Sequence, residues 1–142
     1  MQTTTVPQLA RLDQIRVESA MHAGIVGCSP STPLPTVARI LAEERIHCVV
    51  VHGLERTREG ERLTWGVIDD RDLVRALDAG DGGVTAGELA MPAEPTVDVA
   101  ERLDRAIQLM AQYDVSHLLI VEKGYPVGIL SALDVARAAG GV

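Results

Sequence analysis

The fold is decided by two stretches of sequence, GVIDDRD at residues 66–72 and GILSALD at residues 128–134, which follow one pattern. Each stretch begins with a glycine and two apolar residues, which indicates the end of a strand. Each ends with an aspartate six residues after the glycine, followed by the rest of a repeated Asp-x-x-Arg-Ala element. The sequence therefore predicts the same strand-to-helix turn at two places.

The residues before these turns repeat as well. Predicted amphipathic helices over Leu34–Arg45 and Leu103–Tyr113 carry apolar residues with 3-4-3 spacing, so each would bury one stripe. Each helix runs into an apolar stretch typical of a strand buried on both faces. Further upstream, the string ESAM at residues 18–21 returns as ELAM at residues 88–91. Because four elements recur in one order, the chain is an internal repeat.

The repeat gives the domain organisation. We predict an N-terminal extension over residues 1–16, helical in part, and a first repeat over residues 17–78. A glycine-rich connector over residues 79–83 precedes a second repeat over residues 84–142. The first repeat also holds a mixed-charge stretch, residues 53–62, which predicts an exposed hairpin.

Composition excludes several classes of protein. The chain has 13 Lys and Arg against 20 Asp and Glu, a net charge of −7, which disfavours nucleic acid as a partner. It has one Trp, two Tyr and no Phe, too few aromatics for a base-stacking platform. No apolar run is long enough for a membrane span, and the first residues do not resemble a signal peptide. We therefore expect a cytoplasmic protein.

Residues with reactive side chains give little sign of catalysis. Cys28 and Cys48 lie beside apolar residues, and buried thiols are the simplest interpretation, with a disulfide or half of a metal site as alternatives. The four histidines lack the spacing of zinc ligands, so we predict no metal site. The sequence has no nucleophile elbow and no phosphate-binding loop of the Walker type, so we expect no enzyme activity.

The repeated unit of about 60 residues, with its Ala-Met pair and its ending Gly-h-h-x-x-x-Asp, where h is apolar, resembles the CBS domain. Two such units in tandem resemble the Bateman module, over roughly residues 15–139. The resemblance implies an α/β (α+β) fold of two β-α-β-β-α repeats with pseudo-twofold symmetry, in which small sheets carry helices on one face. Nearly the whole chain is covered, so it resembles a stand-alone CBS domain protein.

Ser131 and Asp134 have two compatible roles at their turn. Both residue types cap helices. A helix start also attracts phosphate, and a carboxylate can accept hydrogen bonds from the two hydroxyls of a ribose. The residues alone leave both roles open.

The resemblance implies adenosyl ligands in clefts between the repeats. Carried over position by position, the first cleft would be formed by Val26, Ile46, His47, Ser116, His117, Ile129, Ser131 and Asp134. Its apolar members would sandwich the base, and Asp134 would bind the ribose. His117 stands where a basic residue often meets phosphate, although a half-buried histidine with satisfied hydrogen bonds is the alternative.

The second cleft would be formed by Val67, Asp69, Asp72 and Thr96. Asp69 stands where the family usually has Ser or Thr, and a carboxylate repels a nearby phosphate by about 1 kcal/mol in water. We therefore expect this cleft to be weak or empty. A cation-bridged ligand and an uncharged or cationic adenosyl compound are the alternatives.

Together these features predict a regulatory ligand-sensing module that requires no cofactor and binds an adenosine-containing metabolite. An AMP-like ligand is favoured over ATP, NAD or S-adenosylmethionine. We expect a homodimer that acts on an unidentified partner protein. The alternative is a structural or protein-interaction module without a bound nucleotide.

Overall fold

The computed structural model of the chain describes residues 11–142, except for the side chains of residues 54–57 and 61–63. Most of the predicted N-terminal extension lies outside the described residues, and its end contains one 3-10 turn, Leu12–Gln14. No helix within the described part of the chain has the length and apolar character needed to cross a membrane.

The helices and strands follow the predicted order. Along the chain they are α1 (Val17–Ala20), β1 (His22–Ala23), β2 (Gly27–Cys28), α2 (Leu34–Glu44), β3 (Cys48–Thr57), β4 (Gly60–Asp69), α3 (Asp70–Asp78), α4 (Ala86–Leu89), β5 (Met91–Pro92), β6 (Thr96–Asp98), α5 (Leu103–Tyr113), β7 (His117–Glu122), β8 (Tyr125–Ser131) and α6 (Ala132–Gly140).

These elements form two compact units. The terminal unit contains the described residues up to Gly24 together with Pro95–Val142, and the central unit contains Ile25–Glu94. The sheet of the central unit has the strand order β2-β3-β4-β5, and that of the terminal unit has the order β1-β8-β7-β6. Each sheet has one parallel pair, β2 with β3 or β6 with β7, and its other pairs are antiparallel. The predicted α/β class with two small sheets is confirmed.

The two long helices that correspond between the units, α2 and α5, show why the sequence repeats. Each places three buried residues on one stripe with the same 3-4 spacing, which are Leu34, Val37 and Leu41 in α2 and Leu103, Ala106 and Met110 in α5. The prediction for α5 is confirmed at both ends. The prediction that α2 includes Arg45 is wrong, because Arg45 adopts the left-handed conformation at φ 53° and ends the helix. Asp114 ends α5 in the same way at φ 51°.

The predicted buried strands form the centres of both sheets. Val49 and Val50 in β3 are buried, as are Leu118 and Ile120 in β7. β3 and β4 also extend beyond the core as a hairpin that is paired up to Thr57 and Gly60, so the backbone confirms the hairpin predicted in this region.

The short strands β1 and β5 fix how the two repeats correspond. His22 pairs with Ile129 in the terminal unit, and Met91 pairs with Val67 in the central unit. His22 therefore corresponds to Met91, whereas the match of the strings ESAM and ELAM had placed Met21 against Met91. The string match is therefore off by one position. Val17 and Ala86, the fully buried first residues of α1 and α4, correspond to each other and fix how the two repeats align.

Candidate ligand site at the strand-to-helix turns

Both repeated turns form capping boxes at the start of a helix. In the terminal unit, Ser131 Oγ accepts a hydrogen bond from the Asp134 N–H at 3.1 Å, and Asp134 Oδ2 accepts one from the Ser131 N–H at 2.8 Å. In the central unit, Asp69 Oδ1 and Asp72 Oδ2 make the corresponding bonds at 2.8 and 3.0 Å. The capping role of Ser131 and Asp134 is thus confirmed, and their ligand role stays a prediction.

Asp134 differs from its counterpart in burial. Its side chain is 2% exposed, and it is the one buried charged residue in the described part of the chain. Asp134 Oδ1 lies 2.8 Å from Nδ1 of His22, whose own side chain is 67% exposed. A buried carboxylate is stable only with such partners. The capping N–H and the imidazole each use one acceptor position, and a carboxylate offers about four.

A cavity of about 250 Å³ lies beside this carboxylate. Its lining residues all belong to the terminal unit, and they are Ser19, Ala20, Met21, His22, Asp134, Arg137, Ala138 and Val142. The cavity therefore combines one carboxylate, one imidazole and one guanidinium with small and apolar walls. Such a combination can accept hydrogen bonds from hydroxyl groups and attract an anion.

Three more of the predicted residues lie at the same end of the sheet. His117 is in register with Ser131, and the Ser116 carbonyl accepts a hydrogen bond from the Ala132 N–H at 2.9 Å. Ser116 Oγ and His117 Nδ1 are 2.9 Å apart. His117 is half-buried with this partner, which is the arrangement expected of the structural alternative. Ile129 pairs with His22, two residues before Ser131.

The other predicted first-cleft residues lie in the central unit. His47 Nδ1 is 2.7 Å from Asp70 Oδ2, and the His47 carbonyl accepts a hydrogen bond from the Asp70 N–H at 3.0 Å. Val26 and Ile46 pack half-buried against the core of this unit. Thr96, predicted for the second cleft, lies in the terminal unit, where it is exposed in β6. The clefts between the repeats therefore stay a prediction.

Negative charge dominates the turn of the central unit. Burial raises the pKa of the Asp72 carboxyl, and the neighbouring Asp69 raises it further, while a backbone hydrogen bond and Arg75 act in the opposite direction. Cys48 is in register with Asp69, and burial raises the pKa of its thiol to about 12, with the three carboxylates of the turn adding to the rise. This environment opposes a second anion such as phosphate.

The two cysteines are buried and free, so the disulfide alternative is wrong. Burial also raises the pKa of Cys28, and a hydrogen bond with Thr32 acts in the opposite direction. No group of three His, Cys, Asp or Glu side chains in the described residues is placed to hold a metal ion.

Of the three ionisable side chains that line the cavity in the described part of the chain, sequence reasoning assigned Asp134 to the site and missed His22 and Arg137. His22 reaches Asp134 only through the pairing of β1 with β8, which joins distant parts of the chain. There was no direct signal for His22 in the sequence, because the string match aligned Met21, and not His22, with Met91. Arg137 was visible within the repeated Asp-x-x-Arg-Ala element, but the pattern did not show that it lines a cavity.

Two sheets with the same pattern of strand pairing, each followed by a capped helix, define a tandem α/β repeat protein. The CBS domain model matches residues 17–79 and residues 86–141. The chain therefore belongs to the CBS domain family, as its repeated turns predicted.

Several known proteins are similar to this chain. Hypoxic response protein 1 of Mycobacterium tuberculosis is 28% identical over 120 residues, which cover 82% of this chain and 80% of that protein. A crystal structure of Hypoxic Response Protein I with two coordinated zinc ions is 27% identical, with a TM-score of 0.68, and the match covers 87% of this chain and 98% of that one.

Two solved structures share the fold at lower identity. The CBS domain protein PAE2072 from Pyrobaculum aerophilum, complexed with AMP, is 23% identical with a TM-score of 0.70, over 89% of this chain and 99% of that one. The CBS domain pair of protein MJ0100, in complex with 5′-methylthioadenosine and S-adenosyl-L-methionine, is 22% identical with a TM-score of 0.75, over 89% and 97% of the two chains.

Proposed function

We propose that this protein is a regulatory module that binds an adenosine-containing metabolite, with Asp134 as the ribose-binding residue. The observation that carries the proposal is the buried Asp134 carboxylate, which borders a cavity of about 250 Å³ and has acceptor positions left beyond its bonds to Ser131 and His22. Membership of the CBS domain family supports the proposal, as do the complexes of PAE2072 with AMP and of MJ0100 with two adenosyl compounds.

The proposed ligand resembles AMP more than ATP. Among its described lining residues, the cavity offers one guanidinium as its only permanent cation, with one imidazole beside it, and this set suits one phosphate better than three. A volume of about 250 Å³ is below the usual range for a drug-sized ligand, so part of the nucleotide would lie outside the cavity. We propose that Ile129 lies beside the base. Val26, Ile46 and His47 of the central unit stay predictions that the family resemblance implies.

We propose that the central turn binds such a ligand weakly or not at all. This turn contains a third aspartate, Asp70, in addition to Asp69 and Asp72. Each of the three carboxylates already has a cationic or N–H partner. A phosphate would meet three negative charges at this turn, whereas the terminal turn has Ser131 in place of Asp69. Val67 and Thr96 belong to the proposed second cleft.

The proposed role is regulatory and not catalytic, in a homodimer that acts on a partner protein. Apolar side chains on two helices support an association surface, since Val74 and Leu77 of α3 are 64% and 58% exposed and Leu133 of α6 is 54% exposed. These faces also favour the second candidate function, a protein-interaction module without nucleotide. Light scattering at micromolar concentration should give twice 15.2 kDa, and a monomeric mass would contradict the dimer.

A thermal-shift experiment separates the two candidate functions. The chain is melted with AMP, ATP, NAD or S-adenosylmethionine, with CMP as the control for the base and zinc chloride as a separate arm. At one hundred times Kd, binding stabilises the folded state by about 2.7 kcal/mol, which raises Tm by about 8–10 °C for a chain of this length. A shift with an adenosyl compound and none with CMP supports the proposal. No shift with any adenosyl compound would favour the interaction module.

A further inference from the structure

We infer that Arg137 selects for an anionic group on the ligand of the terminal cavity. The inference rests on the proposed function, because it concerns the same cavity, and it assigns a role to a residue that the sequence motif of the turn does not include. The ligand class that it favours is a nucleoside monophosphate over an uncharged nucleoside.

The arginine at the corresponding helix position has different contacts in the two repeats. In the central unit, Arg75 Nη1 lies 3.2 Å from Asp72 Oδ1, three residues earlier on the helix. Arg137 stands at the same distance in sequence from Asp134, but its side chain makes no hydrogen bond or ion pair with any residue that the structure describes. It lines the cavity instead.

His22 explains the difference. Its Nδ1 lies 2.8 Å from Asp134 Oδ1, which corresponds to the oxygen that Arg75 contacts on Asp72. The central unit has Met91 at the position of His22, and a thioether has no proton to donate. His22 therefore satisfies the buried carboxylate from outside the helix, and the charge of Arg137 stays available to the cavity.

The surroundings of Arg137 suit an anion at the end of an otherwise neutral ligand. Most of the other walls are small or apolar, from Ala20, Met21 and Ala138, and Ser19 adds a hydroxyl. A guanidinium binds phosphate or carboxylate through two parallel N–H bonds, which a lysine cannot reproduce. The cavity therefore places an acceptor for hydroxyls at Asp134 and a donor fork for an anion at Arg137, one helical turn apart.

The test compares AMP with adenosine by calorimetry on the wild type, on Arg137→Gln and on Arg75→Gln as the matched control. We expect Arg137→Gln to weaken AMP about 10-fold, the scale of one charge-assisted contact at a partly exposed site. Adenosine binding should change less than 2-fold, and Arg75→Gln should change neither ligand. Arg137→Lys should recover only part of the loss for AMP.

The outcomes separate this inference from the proposed function. If adenosine and AMP bind but Arg137→Gln weakens both equally, or weakens neither, Arg137 does not select the anion and the inference is wrong. If neither compound binds the wild type but ATP, NAD or S-adenosylmethionine does, the inference is wrong and the proposed function stands. If no adenosyl compound binds, the proposed function fails and the inference fails with it.

A crystal structure of His22→Ala supplies a readout without ligand. We expect Arg137 to move to within about 3.5 Å of Asp134 in this variant, as Arg75 does with Asp72, which is the range of a hydrogen-bonded ion pair. An Arg137 side chain that stays away from Asp134 once His22 is removed would overturn the explanation for its availability.

Discussion

Removal of the Asp134 side chain should destabilise the fold much more than removal of Asp72. In Asp134→Ala, the Ser131 N–H loses its acceptor at 2.8 Å and His22 Nδ1 loses the carboxylate that lies 2.8 Å away. A lost helix cap costs about 1 kcal/mol, and a lost bond to a buried charged group costs about 1.5–3 kcal/mol. Because His22 is 67% exposed, solvent screening places its share at the low end. The expected total is about 2–3 kcal/mol.

The matched variant Asp72→Ala should cost about 1 kcal/mol. It removes a cap of the same geometry, but this carboxylate is 18% exposed, and its burial next to Asp69 already works against the ionised form. Thermal unfolding followed by circular dichroism should therefore show Tm lower by about 7–10 °C for Asp134→Ala and by about 3 °C for Asp72→Ala.

Asp134→Asn keeps an acceptor for the Ser131 N–H and should recover at least half of the loss. Urea unfolding with unchanged m-values would show that the differences arise in the folded state. Equal losses from the two alanine variants, or a larger loss at Asp72, would refute the account of Asp134 as the more strongly supported residue.

Two further predictions concern packing and thiol chemistry. In Gly128→Ala the new Cβ would lie 2.5 Å from the His22 carbonyl oxygen and 3.0 Å from Met21 Sδ. We therefore expect urea unfolding to show that the free energy of unfolding falls by about 1–3 kcal/mol. In the control Gly83→Ala the new Cβ has nothing within 4 Å, so the free energy of unfolding should change by less than about 0.5 kcal/mol. With a thiol pKa of about 12, only about one ten-thousandth of Cys48 is thiolate at pH 8. Ellman's reagent should therefore label Cys48 at least about 100-fold faster in urea than in the folded chain. Rapid labelling without urea would contradict the burial of this thiol.

The sequence predicted the features that depend on local patterns. The span of α5 follows from apolar spacing over 11 residues, and the two capped turns follow from short strings with a fixed distance between glycine and aspartate. The end of α2 was missed by one residue, because Arg45 adopts a left-handed conformation that its residue type does not announce.

The cavity could not be predicted, because tertiary pairing creates it. His22 belongs to a two-residue strand, too short for any periodic signal, and its partner strand lies at the other end of the sequence. The lack of a contact between Arg137 and Asp134 follows from that same pairing. The local sequence around Arg75 is similar, yet Arg75 contacts Asp72. Burial of Asp134 likewise depends on α1 packing against α6.

The asymmetry between the two turns is the central claim, and calorimetry of AMP binding tests it most directly. The variants are Asp134→Asn and Asp72→Asn, which both keep an acceptor for the helix cap, so that affinity and folding are not confused. The account predicts that Asp134→Asn weakens AMP by about 10-fold to 150-fold, the scale of a lost hydrogen bond to a charged group, and that Asp72→Asn changes it by less than 2-fold. Equal losses from both substitutions, or no heat of binding from the wild type, would contradict the account.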